Sequence, residues 1–293
     1  MTRGTPARPR VALLVLEALP NARTVRRFVA ERAGDIAFVG LSNAERPSQG
    51  GLVGQVRRHL ARSGPRFLPY LAVNFGLPDL LRPMAPLTQR LAGSGDAPEA
   101  TPLATLCTRL GIPSLVVDDV NGPELRAALA RHGADLLVTF HFDQILSGET
   151  LAAAPLGGLN VHPGLLPRHR GPVPTIHALA EGPDAFGVTV HRLAVTIDAG
   201  AILTQEAVAL PPDVTATGAS VRLHARGRSL LDRVLDATAR AGAIPEGRGA
   251  PALPYCPFPD RALLASLHRR GRRLTDVGDL REAVSLSARV APA

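Results

Sequence analysis

Three polar side chains have the types and the spacing of an acyl-transfer site. Asn160 and His162 are two positions apart on a predicted strand, so both side chains point to the same face. Asp198 lies in a predicted loop just before a later strand. The amide and a protonated imidazole can donate hydrogen bonds to an oxyanion, and the carboxylate can orient the imidazole and raise its pKa. This set suits acyl transfer to an amine that attacks directly, without a nucleophilic side chain of the protein.

A purely structural explanation of the same residues is also open. An Asn-x-His pair on a strand is commonly a hydrogen-bonded edge or core pair, and an aspartate close to a glycine is commonly a turn residue. Pro163, Gly164 and Pro167 then form a rigid turn that is incompatible with a helix. The turn places the polar pair at the carboxyl end of a strand, where α/β sheets carry their functional sites.

The elements around these residues alternate between strands and helices. Short apolar runs are typical of strands buried on both faces of a parallel sheet, and amphipathic segments that end at glycine separate them. This alternation predicts an α/β fold with a doubly wound, mostly parallel sheet. The predicted strands are Val11–Leu16, Asp35–Leu41, Ser114–Val117, Asp135–Phe140, Gly158–Val161, Phe186–Leu193 and Ala201–Ala209. The predicted helices are Ala22–Ala33, Pro102–Leu110, Asn121–His132, Leu146–Ala153, Val173–Ala180 and Thr215–Ala241.

Residues 43–101 interrupt this alternation and are predicted to form a helical insertion. It contains predicted helices near Val53–Arg62 and Phe67–Leu81 and a loop over Ala92–Thr101. We expect the insertion to shape the acceptor side of the site or an oligomer contact, such as that of a homodimer. Residues 1–245 then form the catalytic domain. Residues 246–293 form a short C-terminal extension with too few alternating segments for an OB-like barrel.

Composition argues against several classes of site. All 33 basic residues are arginine, so the chain has no catalytic lysine, Schiff-base lysine or P-loop lysine. No Gly-x-Gly-x-x-Gly follows the first strand, which leaves a dinucleotide site without support. Cys107 and Cys256 form neither a disulfide framework nor a Cys-x-x-Cys site, so no metal is expected. The cysteine usage predicts a cytoplasmic protein, and no apolar run approaches the roughly 20 residues of a membrane span.

Two segments around the polar residues resemble a known family. They are LNVHPGLLPRHRGPVP at 159–174 and GVTVHRLAVTIDAGAILTQEAV at 187–208. Both are similar to the catalytic domain of the formyltransferases that use 10-formyltetrahydrofolate, and the resemblance is specific because it combines several fixed residues on different elements. It covers residues 102–240 well and 11–42 loosely. It implies the Rossmann-like fold of that family and assigns the family's catalytic triad to Asn160, His162 and Asp198.

The resemblance also implies that 10-formyltetrahydrofolate is the cosubstrate and that it binds between two loops. One loop follows the strand that precedes Asn160, and the other consists of backbone groups just before Asp198. The residues implied to bind it are Phe142, Gln144, Ile145, Leu146, Val195 and Ile197.

The chain departs from the family's pattern at three places. Gly164 stands where the family commonly has serine, and residues 194–196 (Ala-Val-Thr) replace acidic residues before the aspartate. His141 occupies a position that is more often small or aromatic. These changes leave the triad intact and bear on the affinity for the cosubstrate.

The amine acceptor stays open at the level of sequence. The first βα loop, Glu17–Asn21, lacks a phosphate cradle, which argues against glycinamide ribonucleotide. The lack of a predicted barrel argues against tRNA, although the net charge of +8 keeps this less favoured partner open. The first hypothesis is a small-molecule amine, such as a nucleotide-linked amino sugar or an amino acid derivative, with Arg168 and Arg170 as candidate phosphate ligands. The alternatives are a methionyl-tRNA formyltransferase with a divergent C-terminus, a formyltetrahydrofolate hydrolase and a non-enzymatic relative.

Overall fold

The structure, a computed structural model, describes residues 8–43, 51–76, 99, 101–251 and 253–288. Two predicted segments of the insertion lie partly outside these ranges. They are the end of the predicted helix Phe67–Leu81 and most of the predicted loop Ala92–Thr101.

Seven strands form one sheet that organises the described part of the chain. The strands are β1 (Val11–Val15), β2 (Ile36–Ser42), β3 (Ser114–Val117), β4 (Leu136–Phe140), β5 (Gly158–His162), β6 (Gly187–Arg192) and β7 (Ile202–Ala207). Their spatial order is β3-β2-β1-β4-β5-β6-β7. The pairs from β3 to β5 are parallel, whereas β6 runs antiparallel to β5 and β7 antiparallel to β6. The predicted α/β fold with a doubly wound, mostly parallel sheet is confirmed.

Ten helices lie in the described part of the chain, and several of them cover the two faces of this sheet. They are α1 (Ala22–Glu31), α2 (Gly51–Ser63), α3 (Leu68–Leu71), α4 (Leu103–Leu110), α5 (Pro123–His132), α6 (Gly148–Ala152), α7 (Pro174–Glu181), α8 (Ala216–Ala241), α9 (Arg261–Arg269) and α10 (Val277–Ala288). Successive side chains of a strand point to opposite faces, so alternate residues of β1 belong to the core on opposite faces of the sheet. Leu13 belongs to the cluster that includes Phe28 of α1 and Leu231 of α8. Leu14 belongs to the cluster that includes Leu125 of α5.

A close helix–sheet contact sets the position of α8 over the end of β5. Gly227 faces the sheet, and a Cβ atom there would lie 2.5 Å from Cγ1 of Val161 and 2.7 Å from Cγ2 of Val188. The missing side chain therefore lets α8 pack directly on β5 and β6. This contact brings the N-terminal half of α8, including His224, towards the site at the end of β5.

The part of the insertion that the structure describes, residues 51–76, consists of several short helical segments. After α2 the chain forms a 3₁₀ turn at Pro65–Phe67, the short α3 and a π-helical turn at Ala72–Gly76. The first glycine of this stretch, Gly64, has a φ of +76° and ends α2. π-Helical turns are rare and often lie next to functional sites.

The C-terminal residues pack on the insertion through two helices that the sequence analysis did not predict. Ser63 Oγ at the end of α2 donates a 2.6 Å hydrogen bond to the Pro259 carbonyl. The rings of His59 and Phe258 lie 4.7 Å apart. Further along, Leu286 of α10 joins Val73 of the π-helical turn in a small buried cluster. The described C-terminal residues thus cover the insertion and lie close to the end of the sheet.

None of the described helices is both long enough and apolar enough to span a membrane.

Candidate active site

Asn160, His162 and Asp198 meet at the carboxyl end of β5. Asp198 Oδ2 lies 3.7 Å from His162 Nδ1, and Asp198 Oδ1 accepts a 3.4 Å hydrogen bond from Asn160 Nδ2. The His162 side chain is 4% exposed and that of Asp198 is 10% exposed. Charges and hydrogen bonds act strongly in such a poorly solvated environment. The structure therefore brings together the three residues that the sequence singled out.

The backbone around Asp198 is shaped to hold its carboxylate. Asp198 has a φ of +49°, in the left-handed region that residues other than glycine rarely adopt. The Gly171 amide donates a 2.9 Å hydrogen bond to Asp198 Oδ2. His141 and His169, with φ of +48° and +55°, are the other non-glycine residues in this region among those the structure describes. Backbone strain of this kind clusters at functional sites.

Asp198 is ionised at neutral pH despite its burial. Burial on its own raises the pKa of a carboxyl group. At the low pH where Asp198 takes up its proton, the positive charge of His162, the contact with His191 and the Gly171 amide outweigh that effect, and they lower the pKa of Asp198 to about 2. The site therefore contains a fixed negative charge beside the His162 ring.

His162 is neutral in the resting site, which differs from the expectation. Burial lowers the pKa of His162, and the nearby charge of Asp198 opposes this change without reversing it. The ring nitrogen Nε2 lies 3.1 Å from the His169 carbonyl, so a neutral ring protonated at Nε2 donates a hydrogen bond there. Asp198 raises the pKa of His162, as expected from the sequence, but the lost solvation outweighs this effect and the net pKa is lowered. His162 is suited to accept a proton and to be stabilised by Asp198 once it carries one.

Two residues of the site were missed by the sequence analysis. His191 of β6 lies directly opposite Asn160, and its Nε2 accepts a 3.1 Å hydrogen bond from Asn160 Nδ2 while its Nδ1 donates to the Arg192 carbonyl. Thr139 of β4 is the other register neighbour of Asn160 and donates a 2.7 Å hydrogen bond to its Oδ1. Together they orient the amide so that its NH₂ group faces His191 and Asp198. The signal in the sequence is weak, because Thr139 is a single polar residue in the apolar β4 and His191 is one of three polar residues in β6.

Gly164 leaves room for the His162 ring. A Cβ atom at residue 164 would lie 2.8 Å from His162 Nε2 and 2.9 Å from Cβ of Pro174. The serine that the family commonly has at this position therefore does not fit beside the imidazole as it is placed here. The departure from the family pattern bears on the position of the His162 imidazole as well as on a lost hydroxyl.

The two loops implied to bind the cosubstrate lie side by side. A Cβ atom at Gly148, just after the first loop, would lie 3.6 Å from Cγ1 of Val195 in the second. Ile145 and Val195 expose 56% and 62% of their surface, respectively. Exposed apolar side chains at the rims of two adjacent loops are suited to contact a flat aromatic ligand.

The remaining residues of the first loop hold it in place. Leu146 is buried, and Phe142 packs against the same part of the core. The Gln144 side chain donates a 2.9 Å hydrogen bond to the Val117 carbonyl and accepts one of the same length from the Val120 amide. Three of the four residues proposed for this loop thus fix its conformation.

Both arginines suggested as phosphate ligands already have partners in the structure. The buried Arg170 guanidinium donates to the Ile197 carbonyl at 3.1 and 2.6 Å and to the Leu253 carbonyl at 2.8 Å. Arg168 is on the surface, where its guanidinium lies 3.2 Å from the Glu181 carboxylate. These placements favour a positioning role for Arg170 beside Asp198. They also show that the Ile197 carbonyl is engaged by the protein.

A pair of imidazoles, the half-buried His141 and the buried His224, lies near the triad. The ring centroids of His141 and His224 are 5.7 Å apart, and Phe75 of the π-helical turn stacks on His141 at 5.7 Å. His224 Nδ1 donates a 2.8 Å hydrogen bond to the Ser220 carbonyl, and its Nε2 has no hydrogen-bond partner among the described residues. No group of three or more His, Cys, Asp or Glu side chains in the described ranges could hold a metal ion.

In the first βα loop, the backbone amides of Ala18 and Leu19 already donate hydrogen bonds within the protein and are not free to bind a phosphate. The Ala18 amide donates to Asn21 Oδ1 at 2.9 Å, and the Leu19 amide donates to the Asn74 carbonyl of the π-helical turn at 3.1 Å. The insertion thus covers the place where the sheet order reverses, which is a common ligand position in α/β folds.

The model of the formyl transferase family matches residues 89–235, half of the chain. The chain therefore belongs to the formyl transferase family, in agreement with the resemblance noted from the sequence. It is 39% identical over 156 residues to the methionyl-tRNA formyltransferase of Roseiflexus castenholzii. This match covers 53% of this chain and 50% of that protein. It is 38% identical over 151 residues to the methionyl-tRNA formyltransferase of Methylobacterium sp., and this match covers 52% of this chain and 49% of that protein. The chain thus matches about half the length of these curated relatives.

Solved structures share the fold. Glycinamide ribonucleotide transformylase 1 from Symbiobacterium toebii superposes with a TM-score of 0.54 at 21% identity, covering 86% of this chain and 96% of that one. A sugar N-formyltransferase from Shewanella sp. superposes with a TM-score of 0.51 at 20% identity, covering 95% and 87%. At this level of identity the likeness establishes the common architecture.

We predict that the imidazoles of His141 and His224 make the fold sensitive to acid. Burial lowers the pKa of His141 to about 4 and that of His224 to about 3. The unfolded chain takes up protons below pH 6.5 that the folded chain does not, so stability is lost as the pH falls from 6.5 towards 4. The loss approaches about 1.4 kcal/mol per pH unit for each group. Urea unfolding between pH 7.5 and 4.5 should show a shallower decline in the variant His224→Gln.

A matched control for this series is His268→Gln, which replaces an exposed histidine of α9. It should keep the wild-type slope of stability against pH. Equal slopes in wild type and His224→Gln would contradict the role given to His224.

We predict that Gly164→Ala displaces the His162 ring. The added Cβ must move the imidazole or Pro174, and overpacking of this kind typically costs about 1–3 kcal/mol. Thermal unfolding should show a lower Tm, and the His162 imidazole signals in an NMR spectrum should shift. Gly34→Ala is the control, because a Cβ atom there has no neighbour within 4 Å. An unchanged His162 signal in Gly164→Ala would show that the ring does not need this space.

Proposed function

We propose that the protein is an N-formyltransferase that transfers the formyl group of 10-formyltetrahydrofolate to the amine of a small molecule. The observation that carries the proposal is the convergence of Asn160, His162 and Asp198 in one buried site. Membership of the formyl transferase family supports the cosubstrate, and one structural relative of the same fold was solved in the presence of 5-N-formyl-THF. The exposed rims at Ile145 and Val195 fit the aromatic part of such a molecule.

The residues of the site have separate roles in this reaction. The cosubstrate supplies an activated one-carbon acyl group. The neutral His162 accepts the proton that the amine loses as it attacks, and the adjacent Asp198 charge stabilises the imidazolium. The same imidazolium then gives that proton to the leaving nitrogen, which closes the proton balance.

Asn160 is the candidate donor to the oxygen that becomes negatively charged. Its amide makes a 3.1 Å hydrogen bond to His191 and a longer 3.4 Å bond to Asp198. The longer bond is the one that a substrate oxygen can replace at the lower cost. Because Thr139 and His191 fix the amide beforehand, little reorganisation is needed when the oxyanion forms.

A nucleotide-linked amino sugar or an amino acid derivative is the acceptor class that we favour. The amides of Ala18 and Leu19 are engaged, which argues against the phosphate cradle expected of a glycinamide ribonucleotide enzyme. Sugar N-formyltransferases are among the relatives that cover most of the chain in three dimensions. This acceptor class goes with the expected cytoplasmic location and with a small molecule, rather than nucleic acid or a membrane, as the favoured partner.

Methionyl-tRNA is the second candidate acceptor. The observation in its favour is the 39% identity to a methionyl-tRNA formyltransferase over half the chain. Binding of charged initiator tRNA that weakens steeply with salt would support this candidate.

The test of the proposed function is a product assay. The wild-type protein is incubated with 10-formyltetrahydrofolate and a panel of amino sugars, nucleotide-linked amino sugars and amino acids, and both tetrahydrofolate and formamide products are measured. We expect His162→Ala and Asp198→Asn to reduce kcat about 1000-fold, since each removes a proton-transfer or charge-stabilising group. The control His268→Gln should keep wild-type turnover.

Two outcomes would contradict the assignment. Wild-type turnover by His162→Ala would remove its catalytic role. Release of formate at the same rate with and without amine would identify a hydrolase in place of a transferase.

We predict that Val195→Asp weakens binding of the cosubstrate. The substitution places a charge on an apolar rim and removes contact area, which corresponds to about 1–2 kcal/mol and roughly a tenfold higher KM for 10-formyltetrahydrofolate. Val53→Asp is the control, because Val53 is 80% exposed on α2, far along the chain from the proposed loops. Equal KM values in the two variants would place the cosubstrate elsewhere.

A further inference from the structure

A short C-terminal segment, residues 253–257, lies against the loop whose Gly171 amide binds the Asp198 carboxylate, and it is called the strap here. The Cys256 amide donates a 2.7 Å hydrogen bond to the Arg170 carbonyl, and Arg170 Nη1 donates a 2.8 Å bond to the Leu253 carbonyl. His177 Nε2 lies 2.8 Å from the Pro257 carbonyl. Two hydrogen bonds thus fix the strap to Arg170, in the segment between β5 and α7, and a third fixes it to α7 itself.

The strap comes close to the triad at Gly171. A Cβ atom at Gly171 would lie 2.0 Å from the Cys256 carbonyl oxygen, and the φ of Gly171 is +134°. Only glycine fits such an approach and such a backbone angle. The same glycine donates its amide to Asp198 Oδ2 at 2.9 Å. One residue therefore contacts both the strap and the triad carboxylate.

Tyr255 is the side chain that this arrangement presents beside the site. Its Cε2 would lie 3.3 Å from a Cβ atom on Gly171, and 46% of its surface is exposed. Its hydroxyl makes no hydrogen bond with any residue that the structure describes. Burial and then the charge of Asp198 raise the pKa of Tyr255, so the phenol keeps its proton at neutral pH and can donate.

The features of Tyr255 match those of a ligand contact more closely than those of a packing residue. A tyrosine that packs in a core is enclosed and has a partner for its hydroxyl. Tyr255 instead combines a half-exposed ring, a hydroxyl with no hydrogen-bond partner among the described residues, and a backbone held by hydrogen bonds on both sides. It also packs on Gly171, whereas the proposed cosubstrate rim at Val195 packs near Gly148. This difference in neighbours favours the acceptor over the cosubstrate as the ligand.

We propose that Tyr255 binds the amine acceptor, with its ring against the acceptor and its hydroxyl donating a hydrogen bond to an oxygen close to the amine. The acceptor class that follows is an amine with a neighbouring hydroxyl, carboxylate or phosphate oxygen. This assignment rests on the proposed formyl transfer. It assigns the acceptor side to a segment outside the part of the chain that matches the family model.

The experiment compares Tyr255→Phe and Tyr255→Ala with the wild type, using the best amine from the panel of the product assay. Tyr255→Phe should raise the KM for the amine about fivefold to tenfold, as expected for one lost hydrogen bond. Tyr255→Ala should raise it further, with kcat and the KM for 10-formyltetrahydrofolate both close to wild type. Leu280→Ala, which truncates an exposed apolar side chain of α10, should leave all three constants unchanged.

The outcomes separate this assignment from the function on which it rests. An active wild type with an unchanged amine KM in Tyr255→Ala would overturn the assignment and leave formyl transfer intact. A raised KM for 10-formyltetrahydrofolate in place of the amine KM would also overturn it. A wild type that forms no formamide with any amine would remove the proposed function, and the assignment with it. A lower Tm in Tyr255→Ala does not affect the reading of Tyr255→Phe, which keeps the ring.

Discussion

The structure of the site depends on a single buried carboxylate. Desolvating an ionised carboxyl group costs several kcal/mol unless hydrogen bonds and opposite charge compensate for it. Asp198 receives hydrogen bonds from the Gly171 amide and Asn160 and lies beside the imidazoles of His162 and His191. The left-handed backbone at Asp198 is the local cost of turning the carboxylate towards these groups. The compensating contacts come from β5, from β6 and from the loop that contains Gly171.

The loop that presents Asp198 is held by residues from distant parts of the chain. Arg170 binds the carbonyl just before Asp198 and also the carbonyl of Leu253 in the strap. The strap leads into α9, and Phe258, the residue just after the strap, packs on His59 of α2. The described parts of the insertion and of the C-terminal residues are therefore connected to the loop that presents Asp198.

The sequence predicted best those features that depend on local spacing. The strands and helices of the sheet follow the predicted order, with ends displaced by a few residues, because apolar runs and glycine stops act over short distances. The spacing of Asn160 and His162 was sufficient to place them on one face. His191 and Thr139 were missed because their contacts with Asn160 depend on strand register, which no local pattern encodes. The sequence analysis described a protonated His162, because the burial of the imidazole depends on residues that are remote along the chain.

The sequence by itself determined the class of fold, the residue types of the triad and the family whose motifs the chain carries. Each of these follows from periodicity or from fixed residues at fixed spacing. The tertiary structure alone decided that His162 is neutral, that Arg170 positions a loop and that Tyr255 lies beside Gly171. The physical reason is the same in each case: solvation, hydrogen-bond partners and close approach are set by residues that are neighbours in space but remote along the chain.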